Sequence, residues 1–102
     1  MSQIVYQYGK PFNDEEYEYR QVIIKKEAVG LIPKGKLMSE REWRSLGIQM
    51  SLGWEHYLEY KPESNVLLFR RPLGTDGTTG LVNVEKANML KRQFRKEYGL
   101  ED

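Results

Sequence analysis

The run Tyr17-Glu18-Tyr19-Arg20-Gln21-Val22-Ile23-Ile24 is dense in aromatic and β-branched side chains, which suit a pleated surface, and it predicts a strand. Further along, Trp54-Glu55-His56-Tyr57-Leu58-Glu59-Tyr60 alternates, and Val66-Leu67-Leu68-Phe69-Arg70-Arg71 does so more weakly. Lys61-Pro62-Glu63-Ser64-Asn65 between them has the composition of a hairpin connection. Ile4–Tyr8 reads as a weaker strand. Lys26 to Leu31 fits a short helix, closed ahead of Pro33 because proline disfavours helical geometry in the residue before it. Ser39-Glu40-Arg41-Glu42 matches a capping box, with Met38 and Trp43 placed as a hydrophobic staple. With Gly47 as the stop, the spacing predicts a helix over 40–46 that turns Trp43 and Leu46 to the core. These elements make an α+β fold: a four-stranded antiparallel sheet with short helices on one face.

Beyond residue 73 the pattern changes. Gly74-Thr75-Asp76-Gly77-Thr78-Thr79-Gly80 has the composition of a flexible linker, so residues 1–73 form the domain, 74–80 the linker and 81–102 an amphipathic extension. Ala87, Leu90, Phe94 and Tyr98 fall at helical spacing, Asn83 can cap the start and Gly99 the end, which predicts a C-terminal helix over 84–98. A helix of that length is marginal alone, so its stripe should pack on the body of the chain or on a second copy.

The strands carry more apolar surface than one core needs. Leu58 and Tyr60 share one parity, as do Val66 and Leu68, while Tyr57, Leu67 and Phe69 take the other. A sheet covered by helices on one side needs one apolar face. The surplus implies an oligomer, a partner, or a C-terminal segment folded back over the second face.

Composition narrows the chemistry. Sixteen basic against fifteen acidic residues leave a formal charge of +1, which disfavours nucleic acid as the main partner. There is no cysteine, hence no disulfide, thiolate metal site or cysteine nucleophile, and a reducing compartment, cytoplasm and nucleus, fits. The single histidine, His56, rules out a multi-histidine metal site. No apolar stretch approaches a membrane span, and no signal-peptide pattern opens the chain. No metal and no cofactor is expected.

Nothing composes a catalytic centre. Asp14, Glu15, Glu16 and Glu18 read as a solvated acidic loop, and the glycine-rich segment lacks the Gly-Lys-Ser/Thr ending of a phosphate-binding loop. His56, alternating with glutamates, reads as a packed side chain. Arg20, Arg70 and Arg71 offer planar donor forks suited to phosphate oxygens. Composition alone favours the plainer reading, in which such arginines pair with carboxylates, Glu18 or Glu55 here.

Tyr17-Glu18-Tyr19-Arg20, Leu37-Met38-Ser39-Glu40, Glu42-Trp43-Arg44, Ser51, Gly53-Trp54, His56-Tyr57, Pro62-Glu63 and Leu67-Leu68-Phe69-Arg70-Arg71-Pro72-Leu73 together resemble the Cks family, the small regulatory subunits of cyclin-dependent kinases. The similarity runs ungapped through about residues 5–73. It implies a site for phosphothreonine followed by proline, made by Arg20, Ser51, Trp54 and Arg71. Lys10 is a further candidate, one residue before the position of the family's lysine, which is Pro11 here. It also implies a kinase-docking face through Phe12, Leu58, Tyr60, Pro62, Glu63 and Leu68. The family's hinge, His-x-Pro-Glu-Pro-His, is replaced by Tyr60-Lys61-Pro62-Glu63-Ser64-Asn65. Loss of the second proline frees a backbone N–H that can close the turn, and Asn65 tolerates left-handed geometry, so a closed hairpin and a monomer are favoured over a strand-exchanged dimer.

The expected function is therefore a non-catalytic adaptor. It binds a cyclin-dependent kinase, docks phosphorylated substrates, and promotes multisite phosphorylation in cell-cycle control. A kinase-independent phosphopeptide adaptor and, behind it, a small nucleic-acid module are the alternatives.

Overall fold

A computed structural model describes residues 3–100. Its elements are β1 (Val5–Tyr8), β2 (Phe12–Asn13), β3 (Tyr17–Ile24), a 3-10 helix (Lys26–Leu31), α1 (Glu40–Ser45), β4 (Glu55–Glu59), β5 (Val66–Pro72) and α2 (Val84–Glu97). The antiparallel sheet runs β1-β3-β5-β4, and the short β2 pairs with the first half of β3. The architecture is α+β, with one strand more than the four expected. Two-residue β2 is too short to show a period of its own.

Register assigns the faces. Val22 opposes Leu67, Arg20 opposes Phe69 and Glu18 opposes Arg71, so these six side chains share one face. Its inner part is the core, where Val22, Ile24, Leu67 and Phe69 meet Trp43, Ile48 and Trp54. Trp43 meets Phe69 edge-on with centroids 5.3 Å apart, the arrangement that aromatic quadrupoles favour. Both rings are fully buried, so truncating Phe69 to Ala should cost about 3–5 kcal/mol. Helix α1 delivers Trp43 because its start is fixed: the Ser39 hydroxyl accepts the Glu42 N–H and the Glu42 carboxylate accepts the Ser39 N–H. Leu46 is half-buried against the core, and the helix ends there, with Gly47 in the left-handed region at φ 96°.

Among the described residues no helix covers the opposite face, where Leu58 is 51% exposed. A bulge between His56 and Leu58 breaks the alternation of β4. Tyr57 and Leu58 therefore both reach this face, which strict parity would forbid: Leu58 stands opposite Leu68, and the Tyr57 ring lies 5.8 Å from that of Tyr19.

The β4–β5 connection is closed within the chain. Val66 N–H donates to the Glu63 carbonyl at 3.1 Å, so the turn is not closed by Ser64. Asn65 is not left-handed either. Its backbone carbonyl accepts the Ile24 N–H at 2.9 Å, and its side chain donates to the Ile24 carbonyl at 3.3 Å, tying the turn to the end of β3.

Residues 74–80, expected to link loosely, form a turn tied to the body. Thr75 is fully buried and bridges to Val82, Asp76 N–H donates to the Leu81 carbonyl at 2.8 Å, and Leu52 N–H donates to the Gly77 carbonyl at 2.8 Å. Burial of the Thr75 methyl against Gly53 supplies what the composition does not reveal: a Cβ on Gly53 would stand 2.6 Å from it, and Gly53 is itself at φ 99°. Helix α2 follows, capped by Asn83, whose side chain accepts the Lys86 N–H at 3.0 Å. Ala87, Leu90 and Phe94 are its half-buried apolar residues, Ala87 against Gly74 and Phe94 beside Phe12 and Asn13, and half-buried Arg95 pairs with Glu15. The stripe packs on the body at the β2 edge and leaves the open face uncovered, with Leu58 still 51% exposed.

Candidate functional site

Three segments meet where β3 and β5 leave the core. Glu18 and Arg71 are cross-strand partners, Arg20 stands diagonally from Arg71 on the same face, and the loop 51–53 reaches in from beside α1. Arg71 is the centre. Its guanidinium lies over the Trp54 ring at 4.5 Å and meets both oxygens of Glu18, Nε to Oε1 at 3.3 Å and Nη2 to Oε2 at 3.4 Å. Its Nη1 donates to Ser51 Oγ at 3.0 Å and, less closely, to the Leu52 carbonyl at 3.4 Å. Trp54 Nε1 also donates to Ser51 Oγ, at 3.3 Å. A hydroxyl oxygen that accepts twice keeps its own proton for a third partner, so Ser51 is set as a donor facing outward.

Arg20 is fixed differently. Its Nε donates to the Gly9 carbonyl at 2.9 Å and its guanidinium lies over Tyr8 at 5.3 Å. Tyr8 is held in turn, its hydroxyl accepting the Gln49 N–H at 2.8 Å. Among the described residues no acceptor takes the terminal nitrogens of Arg20. Lys10 is exposed and follows Gly9, whose carbonyl Arg20 holds. Arg20, Ser51 and Arg71 therefore make one cationic corner on this face with unspent donors, and Lys10 lies next in sequence to the Gly9 that Arg20 holds. Trp54 is 3% exposed with its indole N–H engaged, so it serves as the platform under Arg71.

Arg70 belongs to the other face. It pairs with Glu55 at 2.9 Å between the rings of Tyr17 (4.3 Å) and Tyr57 (5.0 Å), as the plainer reading held. The Glu55 hydrogen bond holds its pKa above the usual arginine value.

Glu18, one of the two carboxylates expected to pair with the arginines, is the partner that orients Arg71; sequence reasoning missed Tyr8 as the rest for Arg20, and Arg44. Arg44 Nη2 donates to the Ser51 carbonyl at 3.3 Å while its Nε pairs with Glu40. The Glu40–Arg44 spacing signals that pair, but nothing local signals the reach to Ser51.

The open face carries Phe12, Tyr17, Tyr19, Tyr57, Leu58, Leu68 and Arg70. Phe12 stacks on Tyr19 at 5.4 Å and is 60% exposed. Tyr19 donates to Asp14 at 2.7 Å, and that carboxylate bond raises its pKa to about 12. Burial pushes Asp14 up, but the Tyr19 hydroxyl and the Tyr17 and Glu16 amides outweigh it and leave the carboxyl below its ordinary value. Pro62 and Glu63 sit exposed in the β4–β5 connection at the rim. Tyr60 follows β4, is exposed, and lines a cavity with Val29, Ile32 and Val66.

His56 is buried in the core face, 5.4 Å from Phe69, and its Nδ1 accepts the Met38 N–H at 2.9 Å. Burial lowers its pKa, so it stands as a neutral, structural imidazole. Among the described residues no group of three His, Asp or Glu side chains could hold a metal ion, and no helix is long and apolar enough to cross a membrane.

Comparison with known proteins decides the family. Residues 6–73 match the family described as CKS, cyclin-dependent kinase regulatory subunit. The chain belongs to the CKS family. Relatives named "Cyclin-dependent kinases regulatory subunit" include one from Caenorhabditis elegans, 53% identical over 83 residues covering 81% of this chain and 87% of the relative. Another, from Drosophila melanogaster, is 53% identical over 72 residues, 71% of this chain and 96% of the relative. "Cyclin-dependent kinases regulatory subunit 2" of Xenopus laevis is 54% identical over 69 residues, 68% and 87%. Every residue of the cationic corner lies inside the CKS match, whereas the 74–80 turn and α2 lie outside it.

Proposed function

We propose that this CKS chain is a non-catalytic adaptor of the cytoplasm and nucleus. It holds a cyclin-dependent kinase on the open face of its sheet and captures phosphothreonine-proline sites of substrates at the Arg20–Arg71 corner. The observation that carries this reading is the placement of Arg20, Ser51 and Arg71 on one side of the sheet while Phe12 and Leu58 stand exposed and Leu68 half-buried on the other. Two guanidinium groups supply charge and forked donors for a phosphate, and Ser51 adds a hydroxyl. The opposed surfaces let both partners bind at once. A captured substrate is then tethered near the kinase, its effective concentration rises, and further sites are phosphorylated.

Affinity capture from cell extract tests the whole reading. Wild-type bait retains both a cyclin-dependent kinase and a phosphothreonine peptide, Leu68→Glu loses only the kinase, and Arg71→Ala loses only the peptide. Peptide capture by a wild-type bait that brings down no kinase would move the chain to the class of kinase-independent readers.

A further inference from the structure

The 74–80 turn meets the cationic corner at a single backbone acceptor. The Gly77 carbonyl accepts the Leu52 N–H at 2.8 Å, immediately beside Ser51. The approach is so close that a Cβ on Gly77 would stand 2.8 Å from Ser51 Cβ, 3.0 Å from its Oγ and 3.4 Å from Arg71 Nη1. Gly77 has no positive φ, so the missing side chain serves this contact and not the backbone.

The base of the turn is buried and its tip is more exposed. At the base, Thr75 is fully buried and its hydroxyl donates to the Pro72 carbonyl at 2.5 Å. The tip is braced internally, with Gly80 N–H on the Asp76 carbonyl at 2.7 Å and Thr78 N–H on Asp76 Oδ1 at 2.8 Å. Among the described residues, the bond from Leu52 to Gly77 is the hydrogen bond that holds this tip, residues 76–80, to the 51–53 loop, and Gly80 packs against Leu52, where a Cβ would stand 3.3 Å from the Leu52 Cβ. A braced tip on a fixed base, joined to the 51–53 loop by one hydrogen bond and the light packing of Gly80, can lift as a unit.

We propose that the turn is a resident competitor of the anion site, with Gly77 setting the site's affinity threshold. The Gly77 carbonyl occupies the Leu52 amide and crowds Ser51 and Arg71 until a ligand displaces it. The proposal rests on the phosphate reading of the corner. A neutral carbonyl makes weaker hydrogen bonds than a phosphate oxygen, since charge-assisted bonds are roughly twice as strong. The flap thus yields to a phosphorylated side chain more readily than to a carboxylate with its single charge, and it raises the selectivity of the corner for phosphothreonine over acidic peptides.

The test titrates the full-length wild type, Gly77→Ala, Arg71→Ala and the double variant with a phosphothreonine-proline peptide. Alanine accepts the Gly77 backbone geometry but cannot seat against Ser51. Gly77→Ala should bind about fivefold tighter, the factor one net hydrogen bond provides, and Arg71→Ala should remove the binding in both backgrounds. Equal or weaker binding by Gly77→Ala, while the wild type binds in an Arg71-dependent way, overturns the flap and leaves the phosphate site standing. Absence of Arg71-dependent binding in both overturns the site and the flap with it. A second measurement avoids substitution: saturating peptide should raise the fast backbone mobility of residues 76–80 in the wild type and leave Thr75 unchanged. Unchanged mobility at 76–80 under saturation also overturns the proposal.

Discussion

Glu18 and Arg71 face each other across β3 and β5, and both oxygens of the carboxylate meet the guanidinium, Oε1 at 3.3 Å from Nε and Oε2 at 3.4 Å from Nη2. The carboxylate aims Arg71 and also competes for it. Arg71→Ala is expected to weaken phosphopeptide binding by about 1.5–3 kcal/mol, the range of hydrogen bonds to charged groups. Arg71→Lys should recover only part, because an ammonium lacks the fork. Glu18→Gln keeps an acceptor for Arg71 but removes the competing charge, so it should tighten binding. Calorimetric titration of the three variants checks the ordering, and a Glu18→Gln variant that binds no tighter than wild type would refute the competition.

The open face should be separable from the cationic corner. Leu68 lies opposite Leu58 on the side of the sheet away from Arg20 and Arg71. Leu68→Glu is expected to abolish kinase co-purification while phosphopeptide affinity stays within about twofold, as for distant, independent sites. If both activities disappear together while circular dichroism remains native, the two-surface arrangement is wrong.

Where the sequence and the structure agree, the physics is local. The capping box at Ser39 and Glu42, the strand Tyr17–Ile24 and the cap of α2 at Asn83 each depend on residues within a few positions of one another. Spacing alone does not bring Arg20 and Arg71 together, and here the family resemblance supplied the pairing that the register of β3 with β5 then displays. The bulge at Tyr57 was illegible because parity assumes an unbroken ladder. The turn at 74–80 was illegible for another reason. Its glycines match a linker in composition, and only the close packing of Gly53 on Thr75 and of Gly77 on Ser51 shows that they make room for contact.

The closed β4–β5 connection bears on assembly. Asn65 ties the turn to Ile24 through both its backbone carbonyl and its side chain, and β5 pairs with β4 of its own chain. We expect a monomer across a concentration series in size-exclusion chromatography. Asn65→Ala should cost about 1 kcal/mol by removing one side-chain hydrogen bond. Ser64→Pro stiffens the connector and should shift the population toward a strand-exchanged dimer. A wild-type dimer at micromolar concentration would contradict this reading of the hinge.

His56 gives the fold a pH dependence with a defined sign. Burial lowers its pKa below the ordinary 6.5, and its Nδ1 accepts the Met38 N–H, a bond that protonation would abolish. The unfolded chain, with an ordinary imidazole, binds the proton first, so stability rises with pH wherever the unfolded state is protonated and the folded state is not. The contribution of His56 is complete above pH 6.5 and is lost as pH falls from 6.5 toward the lowered folded value. Asp14 and Glu42, whose carboxyls are held below their ordinary values, add their own loss only under more acidic conditions, with Glu42 at about 2 through its Lys36 and Ser39 hydrogen bonds. Two acid-side steps in stability should therefore be separable. Urea unfolding at closely spaced pH values resolves them, and His56→Gln should be less stable at pH 8 yet flat between pH 7 and pH 5.5. A wild-type stability that does not fall over that interval would show that folded His56 takes up its proton as readily as the unfolded chain does, and would refute this reading.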